Sequence, residues 1–373
     1  MAIITRRTFL STTAAGAAAA TMMPKALLAE EAGVVFGAVL PLTGASASIG
    51  EDQRRGVELA VEKINATGGV LGKPLKVVIE DSASNAQSAL NAAKKLVSVD
   101  GAKVVMGEYS SGVTVPLREA LARDGVIHVN VGSSSVKLRQ PGGGNAFSVI
   151  GLDDLMARFT AKALHDKGFS KAAVILPNNA YGESMNGEFA KAFKDAGGEV
   201  VQTLLYTEGQ SSYRRELQQV ARFQPDVYLY SAYGQEAAII NREAFELGQK
   251  QTPWFGIYLT MCTSDAPKET IEGQLGSEVN FIGSDSKWYQ DAYTKKYGEG
   301  FRSAFNGYLY DGVAMAAAAI NKANSTDPDA VLKAARSLEF AGATGLIKLD
   351  ADNERALQDY LRAVVKDGAV VSL

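Results

Sequence analysis

Short runs of aliphatic and β-branched residues alternate with segments of helical period from Val34 to about Tyr258. This alternation limits what the chain can become more than any motif in it does. VVFGAVL (Val34 to Leu40) precedes a segment predicted to be helical from about Glu51 to Asn65. There Val57, Ala60, Val61 and Ile64 fall on one apolar stripe. LKVVIED reads as the next strand and NAQSALNAAKKLVSV as the next helix. KVVMG, TVPLREALARDG and VIHVNVG carry the rhythm on to about Asn130. Strands that read as unbroken apolar runs and are joined through helices make parallel sheets covered on both faces.

PGGGN (Pro141 to Asn145) interrupts this series, and FSVIGLDD leads into a second one. Its strands are AAVILP, EVVQTLLY, DVYLYSA and TPWFGIY, with helices expected to start near Asp153, Ser184, Ser212 and Gln235. Two βα series that join near Gly151 predict two similar lobes rather than one large sheet. From about Glu278 the spacing predicts helices over Lys287 to Tyr297 and Gly307 to Ala323. A third should open at Asp327-Pro328, with proline at the first helical position. GLIKLD and YLRAVVKDG read as closing strands.

The N-terminus, TRRTFLSTTAAGAAAATMMPKALLAEEAG, pairs Arg6 with Arg7 ahead of Phe9-Leu10 and a weakly apolar, alanine-rich stretch. This is the pattern of a twin-arginine export leader over residues 1–29, with cleavage expected near Ala29 although Leu27 sits where a small residue is usual. Removing the three cations of the leader leaves 35 basic against 41 acidic residues, a net charge of −6. With no basic run, the composition argues against a nucleic-acid partner and against an anionic membrane surface. Cys262 is the sole cysteine, which excludes an intrachain disulfide and a thiolate metal cluster. The mature protein is expected in the periplasm.

In open parallel sheets, ligands bind beyond the carboxyl ends of the strands, where helix N-termini present free N–H groups. Three unusual stretches fall there: YSSGVT (Tyr109 to Thr114), VGSSSV (Val131 to Val136) and PNNAYGES (Pro177 to Ser184). Each alone reads as a capped turn. Two consecutive strands ending in glycine and serines suggest convergent hydroxyls and amides for a carboxylate or an amide. Tyr181, Tyr233 and Tyr258 end strands of the second series and offer rings with a polar tip. Chemistry by catalysis finds little support. His128 lies inside an apolar strand, where a satisfied core residue is expected, and His165 lies at a helix end. No nucleophile elbow or phosphate loop is present, and PGGGNAF does not fit a dinucleotide fingerprint. Asp153-Asp154 reads as a solvated face or a helix cap. No cofactor and no metal are expected.

VVFGAVLPLTGASASIGEDQRRGVELAVEKINATGGVLGKPLKVVIED resembles the opening of the type I periplasmic solute-binding proteins of the Leu/Ile/Val-binding group, which serve ABC importers. The resemblance continues through VVMGEYSSGVTVPL, PNNAYGE and GYLYDGVAMAAAAI to the end of the chain. It implies an α/β fold of two Rossmann-like lobes joined by three hinge crossings, with the ligand in the cleft. Those crossings would fall near Gly151, Gly276 and Leu361. Residues 33–151 with 277–361 would then form the first lobe, and 152–276 with 362–373 the second.

The resemblance also implies a site. Ser111, Gly132, Ser133 and Ser134 would grip a carboxylate. Tyr109, Ser110 and Ile49 would line the side-chain pocket, and Tyr181 and Tyr233 would cover it from the second lobe. The acidic residue that pairs with an amino acid's ammonium in this group is matched by Tyr258. The counter-charge must then come from Glu108, Asp153 or Asp154, or the ligand lacks an ammonium, as an amide or an aliphatic or aromatic carboxylic acid does. A quaternary ammonium held by cation–π contact ranks lower. The implied protein is a monomeric, non-enzymatic receptor that closes on a small molecule and passes it to an inner-membrane permease. A ligand-sensing regulator of the same fold is the alternative, and a periplasmic hydrolase a more distant one.

Overall fold

The structure, a computed structural model, describes residues 33–263, 265–279, 286–300 and 303–373. The expected export leader lies outside the described residues. The first series forms β1 (Val34–Leu40), α1 (Ala47–Ala66), β2 (Leu75–Asp81), α2 (Ala86–Ser98), β3 (Val104–Met106), α3 (Ser111–Arg123), β4 (Ile127–Asn130) and β5 (Ala146–Ser148). The second forms α4 (Asp153–Asp166), β6 (Lys171–Pro177), α5 (Ala180–Asp195), β7 (Glu199–Tyr206), α6 (Arg214–Ala221), β8 (Val227–Tyr230), α7 (Gly234–Glu246) and β9 (Trp254–Ile257). The remainder holds α8 (Leu259–Thr263), α9 (Lys268–Ile271), β10 (Leu275–Val279), α10 (Lys287–Tyr297), α11 (Phe305–Ala323), α12 (Pro328–Arg336), β11 (Phe340–Gly342), β12 (Gly345–Ile347), β13 (Tyr360–Lys366) and β14 (Ala369–Ser372).

One sheet runs β2-β1-β3-β4-β5 and is parallel throughout. The other runs β7-β6-β8-β9-β10-β13-β14. Read from its own first strand, β6, the second sheet repeats the strand order of the first, so the two lobes share one winding. Each therefore has a switch point beside its first strand, where loops diverge and leave a crevice. The second sheet departs from the parallel rule at one edge, because β13 pairs antiparallel with both β10 and β14.

A continuous buried apolar cluster joins the two lobes, with Phe36, Met106 and Val129 from the first sheet and Ile175, Leu229 and Phe255 from the second. A second cluster, around Leu96, Val105 and Leu117, covers the opposite face of the first sheet. Helix α11 is buried nearly all round its length, as its run of alanines and aliphatics requires. No helix among the described residues is long and apolar enough to cross a membrane.

Several element boundaries differ from expectation for local reasons. Helix α5 begins at Ala180 rather than near Ser184, because the Asn179 side chain caps it by accepting from the N–H groups of Tyr181 and Gly182. Asp327 caps α12 ahead of Pro328, as the dipeptide predicts. Strand β10, LGSEV, carries no apolar run and was not expected. Its buried Glu278 is satisfied by the N–H and hydroxyl of Thr260 and by the N–H of Val279. Residues 277–279 and 360–361, expected in the first lobe, pair within the second sheet, so the chain leaves that sheet after Val279 and re-enters it at Tyr360.

The His128 ring is a satisfied core group. Its Nδ1 accepts from Arg118 Nε at 3.2 Å and its Nε2 meets the Gly107 carbonyl. Burial, with the Arg118 charge beside it, pushes its pKa down to about 3, so the ring is neutral. Arg118 also forms a buried pair with Glu354 at 2.9 Å, tying the C-terminal segment to the first sheet.

Candidate functional site

Beyond the carboxyl ends of the strands, the loops of both lobes line one small shared cavity. Its walls are Tyr109, Ser110, Ser111, Gly132 and Ser134 from the first lobe, Tyr181, Tyr233, Tyr258 and Met261 from the second, and Phe305 at the start of α11.

Helix α3 presents its N-terminus to this space. Ser110 is its N-cap residue by backbone position, yet the side chain makes no capping bond and stays free. The N–H groups of Val113 and Thr114 are taken by the Ser110 carbonyl. Those of Ser111 and Gly112 remain among the unfilled donors of a first helical turn. The Ser111 hydroxyl accepts from the Ser135 N–H at 3.3 Å, which leaves its proton for another acceptor. A hydroxyl, N–H donors and the positive end of the helix dipole make a wall suited to an anion.

Gly132 allows the two first-lobe loops to meet, since a Cβ there would lie 2.8 Å from Tyr109 Cα. The next residue turns away. The Ser133 hydroxyl lies 2.6 Å from Thr114 Oγ1 and 3.2 Å from the carbonyls of Glu108 and Tyr109, so it stitches the loops together and does not line the cavity. Ile49 also falls outside the wall. It is 2 % exposed and belongs to the apolar core, because the face of α1 that carries it points inward.

The opposite wall is aromatic. The rings of Tyr109 and Tyr233 meet edge to face at 5.4 Å, and Tyr109 and Phe305 at 5.1 Å. The Tyr109 hydroxyl donates to Met261 Sδ at 3.3 Å across the cleft. Tyr233 offers its ring alone, because its hydroxyl donates to Glu208 Oε1 at 2.6 Å and accepts from Asn179 Nδ2 at 2.7 Å. The hydroxyls of Tyr181 and Tyr258 are buried and among the described residues make no well-formed hydrogen bond, with only loose approaches to Ser231 and Tyr360 respectively. Tyr258 also holds a left-handed backbone, φ +56°, a conformation that costs a tyrosine roughly 1–3 kcal/mol and clusters at functional sites. Met261 and Phe305 were not expected. The only sequence cue to Met261 is its position three residues after Tyr258, which places it one turn on when a helix follows.

The three carboxyls considered as counter-charges sit very differently. Asp154 pairs with Arg158 at 3.3 Å and with Arg139 at 3.6 Å. Asp153 is not solvated, contrary to expectation. It is fully buried at the first turn of α4, and its N–H donates to the Ser134 carbonyl at 2.6 Å. Among the described residues neither carboxylate oxygen has a well-formed hydrogen bond, the Ser134 and Ser184 hydroxyls making only loose approaches. Burial pushes its pKa up to about 7, with the Ser134 and Ser184 hydroxyls working in the opposite direction. Glu108 is likewise fully buried and pushed up by burial to about 7, but it is hydrogen-bonded.

The lobes touch around the cavity. The Ser135 hydroxyl donates to the Ala180 carbonyl at 2.9 Å, the Val136 N–H to Ser184 Oγ at 3.0 Å, and the Ser48 hydroxyl to Asp265 at 3.0 Å. The arrangement is a clasp closed by loops of two lobes, with donors on one side and rings on the other. Over residues 33–369 the sequence fits the pattern of the periplasmic binding proteins.

The chain belongs to that family. It is a type I periplasmic binding protein of the Leu/Ile/Val-binding group. It is 27 % identical over 368 residues to Leu/Ile/Val-binding protein homolog 7 of Brucella abortus, covering 92 % of this chain and 91 % of the relative. Homolog 2 of the same organism is 28 % identical over 338 residues, covering 88 % and 90 %. Among solved structures, a leucine-binding protein of Thermotoga maritima superposes with a TM-score of 0.83 at 23 % identity, over 91 % of this chain and 97 % of that one. A solute-binding protein of Rhodopseudomonas palustris in complex with benzoate gives 0.82 at 21 % identity, over 92 % and 96 %. A Streptococcus pneumoniae protein in complex with isoleucine gives 0.80 at 23 % identity, over 91 % and 98 %. Members of this family are periplasmic solute-binding proteins.

Proposed function

We propose that this protein is the exported receptor of an ABC importer, that it encloses a small amino acid, amide or related carboxylate by lobe closure, and that it delivers this cargo to an inner-membrane permease. The reading is one of binding without turnover, by a monomer that reaches the periplasm through the twin-arginine route. The observation that carries it is the cavity itself, whose donors and rings come from strand-end loops of two lobes and converge only when the lobes meet. A ligand that contacts both walls binds the closed state better than the open one, and that difference favours closure.

The wall chemistry supports a ligand with a carboxylate or amide head against Ser111 and Ser134 and an apolar body among Tyr109, Tyr181, Tyr233 and Phe305. For an amino acid, the ammonium would approach Asp153 past the hydroxyls of Tyr181 and Tyr258, since Tyr258 itself cannot supply a charge. A thermal-shift screen followed by calorimetry against amino acids, amides, ureas and aromatic acids tests the proposal. At a hundredfold excess over Kd, a true ligand adds about 2.7 kcal/mol of stability and raises Tm. No shift with any compound in those classes would overturn the reading.

A further inference from the structure

One buried carboxyl braces the donor wall from behind. Glu108 Oε1 meets Ser82 Oγ at 2.6 Å and Oε2 accepts from the Ser110 N–H at 2.7 Å. The main chain of Glu108 is bonded on both sides to Thr114 Oγ1, which also meets Ser133. The residue therefore sits where the ends of β2, β3 and β4 converge, one position behind Tyr109 and two behind Ser110.

This geometry accepts the carboxyl in either protonation state. Ionised, it accepts from both the Ser82 hydroxyl and the Ser110 N–H. Protonated at Oε1, it still accepts from Ser110 and donates to Ser82 Oγ, a hydroxyl that can act as donor or acceptor. No lysine or arginine lines the cavity among the described residues, so an incoming carboxylate meets dipoles and no counter-ion. Two negative charges on opposite sides of a short loop, shut away from water, repel strongly.

We propose that Glu108 is a specificity-determining residue that takes up one proton from solvent as a carboxylate ligand docks on the α3 N-terminus, so that the closed site does not hold two uncompensated negative charges. The inference rests on the binding reading above and adds a proton to it. The proton enters on Glu108 from bulk water, no covalent bond in the ligand changes, and the charge of the site is conserved. The groups facing Glu108 fit this role. Asp81, at the end of β2, adds a like charge that favours the protonated form. His128, behind the β3–α3 loop, is neutral, and Tyr109 keeps its proton because burial raises its pKa well above the usual value.

The test is titration calorimetry with benzoate and with uncharged benzamide between pH 6 and 8.5, in buffers of differing ionisation enthalpy, alongside L-leucine. Affinity for benzoate is expected to be level below about pH 7 and to fall up to tenfold per unit above it, with proton uptake approaching one per ligand. Benzamide should show neither effect. Glu108→Gln keeps both bonds, through Oε1 to Ser110 and Nε2 to Ser82. It should abolish the slope and bind benzoate about tenfold more tightly than the unaltered protein at pH 8, a gain that loss of a purely structural group would not produce. The same slope in Glu108→Gln as in the unaltered protein would assign the proton to Asp153 and overturn the inference. Affinity independent of pH would also overturn it. Binding of none of these probes or of the wider screen would overturn the receptor reading and this inference with it.

Discussion

Ser111 and Tyr181 bring opposite chemistry to facing walls of one cavity, and their hydroxyls can be removed with little change of shape. Among the described residues the Ser111 hydroxyl has one modest bond, and the Tyr181 hydroxyl has only a loose approach to Ser231. Ser111→Ala and Tyr181→Phe should therefore each melt within a few degrees of the unaltered protein. If each hydroxyl bonds the ligand at about 1 kcal/mol, affinity should fall roughly five- to tenfold in each variant. Calorimetry beside a melting curve separates the two effects, and unchanged affinity in both variants would show that the ligand sits elsewhere. Asp153→Asn makes the sharper distinction. A tenfold or greater loss for amino acids, with affinity for benzoate kept, would place the ammonium at this carboxyl. Loss of neither would mean that Asp153 is a structural group.

At the scale of elements, closure depends on how near two helix starts can come to the other lobe. Gly234, at the start of α7, has φ +56°, and a Cβ there would lie 2.2 Å from the Ala45 carbonyl, across the cleft in the loop before α1. Gly234→Ala is expected to cost about 1 kcal/mol of folding stability through the left-handed backbone alone. The clash acts only when the lobes meet, so affinity should drop by more than tenfold. Small-angle scattering with saturating ligand should then report a more open particle than the unaltered protein gives. Asn179 has two duties, since it caps α5 and orients Tyr233. Asn179→Ala should destabilise by about 1–2 kcal/mol and also weaken binding, whereas Asn179→Asp should restore the cap.

At the scale of the whole molecule, the fold was legible because alternating strand and helix periods leave few arrangements, and the loops at strand ends were legible because open sheets place ligands there. Side-chain orientation was not. Ser133 and Ser134 are neighbours in sequence, yet one stitches loops and the other lines the cavity. Phe305 reaches the site only through the packing of α11. Burial was the least legible property: Asp153-Asp154 looks like a solvated pair, while Asp153 is fully buried. That burial has a global consequence. Glu108 and Asp153 are pushed up to about 7 and Asp311 to about 6, so between pH 7 and about pH 5 these three carboxyls hold more protons in the folded protein than in the unfolded chain. This outweighs the opposite effect of His128, held neutral, and of Lys250, pushed down to about 7. Stability falls with rising pH wherever the native state is the better proton binder, at up to about 1.4 kcal/mol per unit per group. Groups held below their usual pKa, such as Asp81 and Asp226, lose their contribution only at more acid pH. The ligand-free protein should therefore be more stable to urea at pH 5.5 than at pH 7.5. Asp153→Asn should gain at pH 7.5 and flatten the profile, and an unaltered slope in that variant would mean that Asp153 does not titrate in this range.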